Sequence, residues 1–269
     1  MTAHPLSKRR ACLYLGLSRS ACYRPLVDWW ERDRPVIEVL NPLALAKPGL
    51  GFWKLYDRIR RQGHGWNHKR LYRIYCELKL NRRRPGKKRL PNREPQPLVV
   101  PQRPNQVWSA DFMHDALYRG PRFRTFNVLD DFNRESLAIE IDTSLTGPRL
   151  IRVMEQLKAE RGLPDWLRVD NGPEFMGQEF MQWCEDHCIR IDYIEPGKPN
   201  QNAFIERFNR SYRTEVLDVY LFSTLDEVRE ITWQWRQEYN QERGHDSLNG
   251  LTPVERYQLT RVSTFELST

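Results

Sequence analysis

Val107-Trp108-Ser109-Ala110-Asp111-Phe112 is the stretch on which the reading of the fold turns. Side chains alternate between the two faces of a strand. Trp108, Ala110 and Phe112 therefore share one face, and Val107, Ser109 and Asp111 share the other. The first face calls for an apolar layer to cover it. The acid on the second face is costly to bury unless it is paired or has a chemical task.

Working outward, Arg119-Gly120-Pro121 marks a turn, and residues 123–129 and 137–141 read as second and third strands. Residues 150–158 place Ile151, Met154 and Leu157 at helical spacing. A short strand at 166–169, a helix at 178–187 and a strand at 189–194 follow, then helices near 202–217 and 226–241. Three consecutive strands followed by alternating helix and strand predict an α/β layered domain with a mixed sheet. No internal repeat is visible.

The first hundred residues have a different texture. Residues 1–100 carry 23 Lys and Arg against 7 Asp and Glu, whereas 101–269 carry 20 against 28. Such a split suggests a nucleic-acid-binding arm joined to a second unit; a solvated basic surface is the alternative. Short helices are expected at 8–17 and 21–24, then a Pro-interrupted stretch at 28–45. Phe52, Leu55, Tyr56 and Ile59 recur at helical spacing, Gly63-His64-Gly65 breaks the helix, and Asn67 is a candidate N-cap for the next. There Leu71, Ile74, Tyr75 and Leu78 form an apolar stripe, leaving Lys69, Arg70 and Arg73 exposed as candidate DNA contacts. Two helices around a Gly turn fit either a helix-turn-helix or a plain helical hairpin. The predicted organisation is a helical DNA-binding region at 1–80, a basic Pro-rich linker at 81–104, and a catalytic core with a C-terminal helical extension at 105–269.

Hydrophobic residues make up 39% of the chain and mean hydropathy is −0.73. With no apolar run long enough to span a bilayer and no apolar start, a cytoplasmic, nucleoid-associated protein without a membrane partner is expected. The five cysteines form no CxxC pair, which argues for reduced thiols. His64 and His68 have only Cys76 nearby and fall short of the four ligands of a structural zinc site.

Three acids stand out. Asp111 interrupts an apolar strand. Asp170 ends the fourth strand at Asp170-Asn171-Gly172-Pro173, which is also simply a good turn sequence. Glu206 lies on a helix opposite Phe204, Phe208 and Tyr212 and beside Asn209, Arg210 and Arg213, where an ordinary Glu–Arg pair is the plainer meaning. Carboxylates converging from rigid elements are what two-metal phosphoryl transfer requires, with magnesium drawing on a few carboxylates, waters and substrate.

Thirty-five residues separate Asp170 from Glu206, and Asp170 follows Asp111 by 59 positions. With this spacing the sequence resembles the second-frame (OrfB) transposases of bacterial insertion sequences, members of the retroviral-integrase superfamily with a DDE catalytic core. The likeness is carried by the block at 107–112, by Asp170-Asn171-Gly172-Pro173-Glu174-Phe175, and by Gly197-Lys198-Pro199-Asn200-Gln201-Asn202 running into Glu206, with Arg213 seven positions on. Tyr239-Asn240, Ser247-Leu248 and Thr252-Pro253 resemble the family's C-terminal signature, and residues 49–80 its helix-turn-helix block. Arg243-Gly244-His245 departs from the usual Arg-Pro-His, a change expected to loosen the turn.

The resemblance implies a ribonuclease-H-like mixed sheet flanked by helices and preceded by an all-α helix-turn-helix-like region. It implies metal-dependent cleavage at element ends and strand transfer during DNA transposition and integration. Asp111, Asp170 and Glu206 carry over as catalytic ligands of two Mg2+ (or Mn2+) ions. Asn171, Lys198, Gln201, Asn202 and Arg213 carry over as DNA contacts or supports. Double-stranded DNA, a first-frame (OrfA) protein or fusion, and an oligomer on DNA are the implied partners. Asp115, Asp130, Asp131, Asp142, Glu174 and Glu195 are read as surface charge, with Glu174 a possible decoy beside Asp170.

Overall fold

A computed structural model describes residues 7–24, 28–81, 100–195 and 199–266. The helical arm begins with α1 (Lys8–Tyr14) and α2 (Arg19–Cys22), capped by the hydroxyls of Ser7 and Ser18. The Pro-interrupted stretch is one helix, α3 (Trp29–Ala46), with Pro35 and Pro42 inside it. A proline removes one helical hydrogen bond, but both prolines lie on the exposed side, where water can serve the freed carbonyls. Val36, Leu40 and Ala44, four residues apart, fix the other side in a core with α4 (Phe52–Arg61) and α5 (His68–Glu77). Packing outweighs propensity here. Asn67 caps α5 as expected, accepting from the Lys69 amide at 2.8 Å.

The sheet consists of β1 (Val107–Ala116), β2 (Arg122–Asp130), β3 (Ser136–Asp142), β4 (Trp166–Val169) and β5 (Arg190–Tyr193), in the order β3-β2-β1-β4-β5. β1, β2 and β3 are antiparallel neighbours, while β4 pairs parallel with both β1 and β5. This is the mixed α/β sheet expected. Trp108 and Ala110 bury under α6 (Gly147–Arg161) and α7 (Gln178–Asp186), together with Leu150, Met154 and Phe180. On the opposite face Met113 and Phe123 meet α8 (Ala203–Tyr212) and α9 (Leu225–Gln241) through Phe208, Tyr212 and Trp235. The alternation read from β1 thus separates two cores.

α8 continues into a π-helical turn, Arg213–Leu217. A last helix, α10 (Pro253–Glu266), follows α9 in the C-terminal helical extension. The arm docks on this C-terminal part. Lys47 and Arg58 reach Glu238 at 2.5 and 2.9 Å, and Arg61 grips Glu255 at 2.7 Å. Lys54 donates to the Gly244 carbonyl at 2.6 Å. Gly244 does more than loosen its turn: a Cβ there would stand 2.6 Å from the Gly250 carbonyl oxygen, so the tight closure of the 243–250 loop needs a residue without one. Among the described residues, no helix is long and apolar enough to cross a membrane.

Candidate active site

Register brings the first two acids together before any side chain is considered. β1 and β4 run parallel with Ser109 opposite Arg168. Continuing two residues along both chains sets Asp111 beside Asp170 on the same face. That face is the one covered by α8, the helix carrying Glu206.

Asp111 is mostly buried. One carboxylate oxygen accepts its neighbour Phe112's amide at 2.8 Å, and the other accepts the side-chain amide of Asn209 at 2.8 Å. Asn209 in turn accepts from Asn127 at 2.7 Å, and Asn127 lies opposite Asp111 in the β1–β2 register. These donors are all neutral. Burial pushes the Asp111 carboxyl up to about 6, and the negative fields of Asp170 and Glu206 push in the same direction, against the two hydrogen bonds. The site is thus a carboxylate cluster whose first acid receives only neutral donors.

Asp170 occupies the turn after β4, accepting the Gly172 amide at 3.1 Å. A Cβ on Gly172 would lie 2.9 Å from the same oxygen, so glycine allows the turn to close over the carboxylate. Phe175 anchors this loop among Phe112, Phe126 and Phe180. Glu206 is in the first turn of α8 and is exposed. Among the described residues, no three acidic, His or Cys side chains stand close enough to ring one ion; the three acids share an electrostatic field.

The expected DNA contacts fall into two groups. Asn171 donates to the Ile194 carbonyl at 3.2 Å, and Gln201 braces Glu195 through its amide at 2.8 Å, so both tie loops beside Asp170 and α8. Asn202 is buried, with its side-chain oxygen unpartnered. Arg213 bonds Asp115 and the His114 carbonyl, at 3.2 and 2.7 Å. Lys198, like residues 82–99 of the linker, lies outside the described residues. In the arm, Lys69 is exposed. Arg70 and Arg73 are not freely exposed as their helical phase suggested: both bind the buried Asp33, at 2.9 and 2.5 Å. That acid lies 37 and 40 residues away, beyond the reach of any local pattern.

Two acids read as surface charge are buried instead. Asp130 accepts the amides of Asn105 and Phe132, and burial pushes its carboxyl up to about 6. Asp131 accepts from Ser109 at 2.7 Å and faces Arg168, and burial lifts it to about 7. They mark the far end of β1 and β2 from Asp111, so they are structural neighbours of the site and no part of it. Glu174, the possible decoy, is engaged by Arg124. Asn209 and Asn127 were not singled out. Asn209's signal was its place one helical turn after Glu206; Asn127's lay only in the strand register.

Known families and proteins resemble this chain over most of its length. Residues 101–199 and 187–253 match integrase core domain models, and residues 42–88 match an HTH-like domain. An uncharacterized 39.2 kDa protein of insertion element IS476 from Xanthomonas euvesicatoria is 39% identical over 93% of this chain and 72% of its own length. A 31.7 kDa protein of insertion element IS407 from Burkholderia multivorans is 38% identical over 93% of this chain and 90% of its own. A chain of the simian T-cell lymphotropic virus intasome shares the fold at a TM-score of 0.50, with 19% identity, covering 74% of this chain and 70% of that one. With an integrase core spread over both sheet faces and an HTH-like arm docked beside it, the chain belongs to the insertion-sequence transposases of the retroviral-integrase superfamily.

Proposed function

We propose that Asp111, Asp170 and Glu206 form the catalytic centre for cleavage at element ends and strand transfer into target DNA. The observation that carries this reading is Asp111. It is half-buried, held by an amide of the α8 helix, and pressed by two further carboxylates with no cation among its hydrogen-bond partners. The donor set is all-oxygen, which suits Mg2+ or Mn2+, and a pair of such ions is the arrangement that serves in-line displacement. When bound, the ions supply positive charge to the attacked phosphodiester and to both reacting oxygens.

The chain's own residues supply position. Asn127 and Asn209 hold Asp111 in one orientation, and the Gly172 turn holds Asp170. Glu206 comes from the opposite layer on α8. Hydrolysis of a phosphodiester at the element end frees a 3′-hydroxyl; that hydroxyl attacks the phosphorus of a target phosphodiester, forming a new P–O bond while the bond to the target strand's own 3′ oxygen breaks and that oxygen leaves as a hydroxyl. Phosphoryl transfer of this kind rests on positioning and charge, and no covalent enzyme intermediate is required. The second-frame character of the chain, its action with a first-frame (OrfA) protein or fusion, and an oligomer assembled on DNA belong to the same proposal, as do its three-part division at 80 and 104 and contacts to DNA from Lys69, Lys198 and Arg213.

The test is a strand-transfer assay with labelled element ends and Mg2+ or Mn2+. Asp111→Asn, Asp170→Asn and Glu206→Gln should each lose joining while DNA binding persists. Joining at the unsubstituted level by any of the three would sink the assignment. Hydrolysis without joining by the native chain would point to a nuclease.

A further inference from the structure

A second polar cavity lies on the other flank of α8. The helix shows Asn209 to Asp111, whereas Phe204, Arg207, Phe208 and Ser211 line this cavity. Its remaining wall comes from Arg134, from Tyr239 and the 243–247 loop with Arg243 and His245, and from Lys54 of the arm. The volume is about 360 Å³, far above the ~10–15 Å³ that one water occupies by the same measure. It is built jointly by the DNA-binding arm, the catalytic helix and the C-terminal loop.

The charge around it is mainly positive. Lys54, Arg134, Arg207 and Arg243 line it; Arg243 is paired with Glu215 at 2.5 Å and Lys54 reaches Asp246, whose side chain is 82% exposed, at 3.4 Å, so Arg134 and Arg207 are the cations whose charge is open to a ligand. Two polar atoms in the wall are left over: Arg134 Nη1, a donor, and His245 Nε2, a donor in the tautomer that carries its proton there, are buried without a hydrogen-bond partner. Buried polar groups are ordinarily satisfied, and each exception needs an explanation. Arg134 is held in place by its stack on the Phe204 ring, 3.4 Å from the ring centre, although its own backbone takes a left-handed φ of 61°. Burial and then the fields of Arg243, Lys54, Arg134 and Arg207 press the His245 imidazole down to about 3. The cavity therefore has the potential, the donors and the room for a tetrahedral anion.

We propose that this cavity binds one phosphodiester group of the DNA backbone, so that α8 grips the substrate strand on one flank while presenting Glu206 on another. The proposal rests on the DNA-joining reading above for its choice of anion. A guanidinium matches phosphate by paired donors, and the cavity opens between the arm and the core of a protein whose proposed substrate is a chain of phosphodiesters. Binding there would also tie Lys54 of the arm to the core through the ligand.

The test measures affinity of the full chain for a labelled duplex in chelator over a salt series. Each phosphate contact contributes about 0.9 to the slope of log affinity against log salt. Arg207→Gln should lose about one such unit and weaken binding roughly five- to ten-fold near 0.1 M salt. Arg207→Lys should retain most of the slope, and Arg190→Gln, a surface charge on β5, should retain all of it. Arg134→Gln should repeat the loss, and the exposed Arg207 keeps the test decisive where that buried variant does not fold. In a second arm, nuclear magnetic resonance of the His245 ring is followed on adding duplex or inorganic phosphate; both should shift it in the native chain. An unchanged slope in Arg207→Gln overturns the proposal. A ring that responds to inorganic phosphate and ignores duplex makes this a free-phosphate site and overturns it as well. Because chelator removes the chemistry from the readout, a failure of joining with this slope loss intact would count against the acid triad alone.

Discussion

The arm and the core treat their charges in opposite ways. In the arm, Asp33 is 3% exposed and carries two arginines, Arg70 and Arg73, on its two oxygens. Lys47, Arg58 and Arg61 likewise end on Glu238 and Glu255 of the core. In the core, Asp111 is half-buried, receives only neutral amides and faces two more acids. A buried charge that finds its counter-ion within the chain is architecture. A carboxylate that meets only neutral donors and two further acids is suited to a cation from outside. The basic arm, which composition alone would assign wholly to DNA, uses much of its charge to build itself and to dock.

The sharpest way to break this contrast is at the acids. Asp111→Asn should reduce strand transfer by on the order of 10³-fold or more, the scale of losing a preorganised electrostatic element, measured with saturating DNA and Mg2+. Asp33→Asn should leave the chemistry of joining intact on DNA-saturated protein but destabilise the fold by about 2 kcal/mol. Removing one member of a fully buried pair costs about 3–5 kcal/mol; the lower figure reflects Arg70 and Arg73 side chains that are 30% and 40% exposed. Urea unfolding of the full chain measures it. A neutral result at Asp33 would erase the distinction between the two regions.

These differences map onto what was legible in the sequence. The alternation at 107–112, the Asp-Asn-Gly turn and the phase of Glu206 are local patterns, and each held because strand and helix periods are fixed by backbone geometry. The faces of β1 followed directly, whereas the meeting of Asp111 and Asp170 on one face came from the β1–β4 register. What escaped was set by distant contacts. Asp130 and Asp131 look like a polar strand end until the Asn105 and Phe132 amides close on the first and Ser109 and Arg168 on the second. Arg70 and Arg73 look like a basic helix face until α3 brings Asp33 against them. Pro35 and Pro42 argue against a helix that packing nevertheless completes. Asn127 entered the site only through strand register.

A stability measurement sharpens the same comparison with the sign reversed. Asp111 is raised to about 6 in the fold from an unfolded value near 3.9. The folded state therefore holds the extra proton, and stability falls as pH rises from about 4 to about 6. Two units correspond to roughly 2.7 kcal/mol, from which the hydrogen bond that an amide cannot accept subtracts about 1 kcal/mol. Asp111→Asn should thus stabilise the metal-free protein at pH 7 by roughly 1–2 kcal/mol, although it destroys activity. Asp33, held below the usual carboxylate range by its arginines against the cost of burial, stabilises above the unfolded value and loses that contribution only in acid. Thermal unfolding in chelator at pH 7 and again near pH 4 should show the Asp111→Asn gain at the first and little at the second.

The smallest effect is expected where arm meets core. Glu255 accepts both Arg61 nitrogens, at 2.7 and 3.0 Å, and closes a reciprocal cap with Thr252 at the start of α10. The Arg61 hydrogen bond, against burial, holds its carboxyl down to about 2. Glu255→Gln keeps a residue able to complete the cap and removes only the ion pair. With both side chains over a third exposed, solvent and salt screen that pair, so the loss should be about 0.5 kcal/mol at pH 7 and less in high salt. The sign of the shift sets the window: the contribution is fully present above the unfolded value near 4.3 and disappears as pH falls towards 2. The difference between native and Glu255→Gln unfolding should therefore close over that interval. A difference that stays constant through it would mean that the seam is held by the Glu238 contacts and the closely packed Gly244 loop, with the Arg61 pair merely lying on the surface.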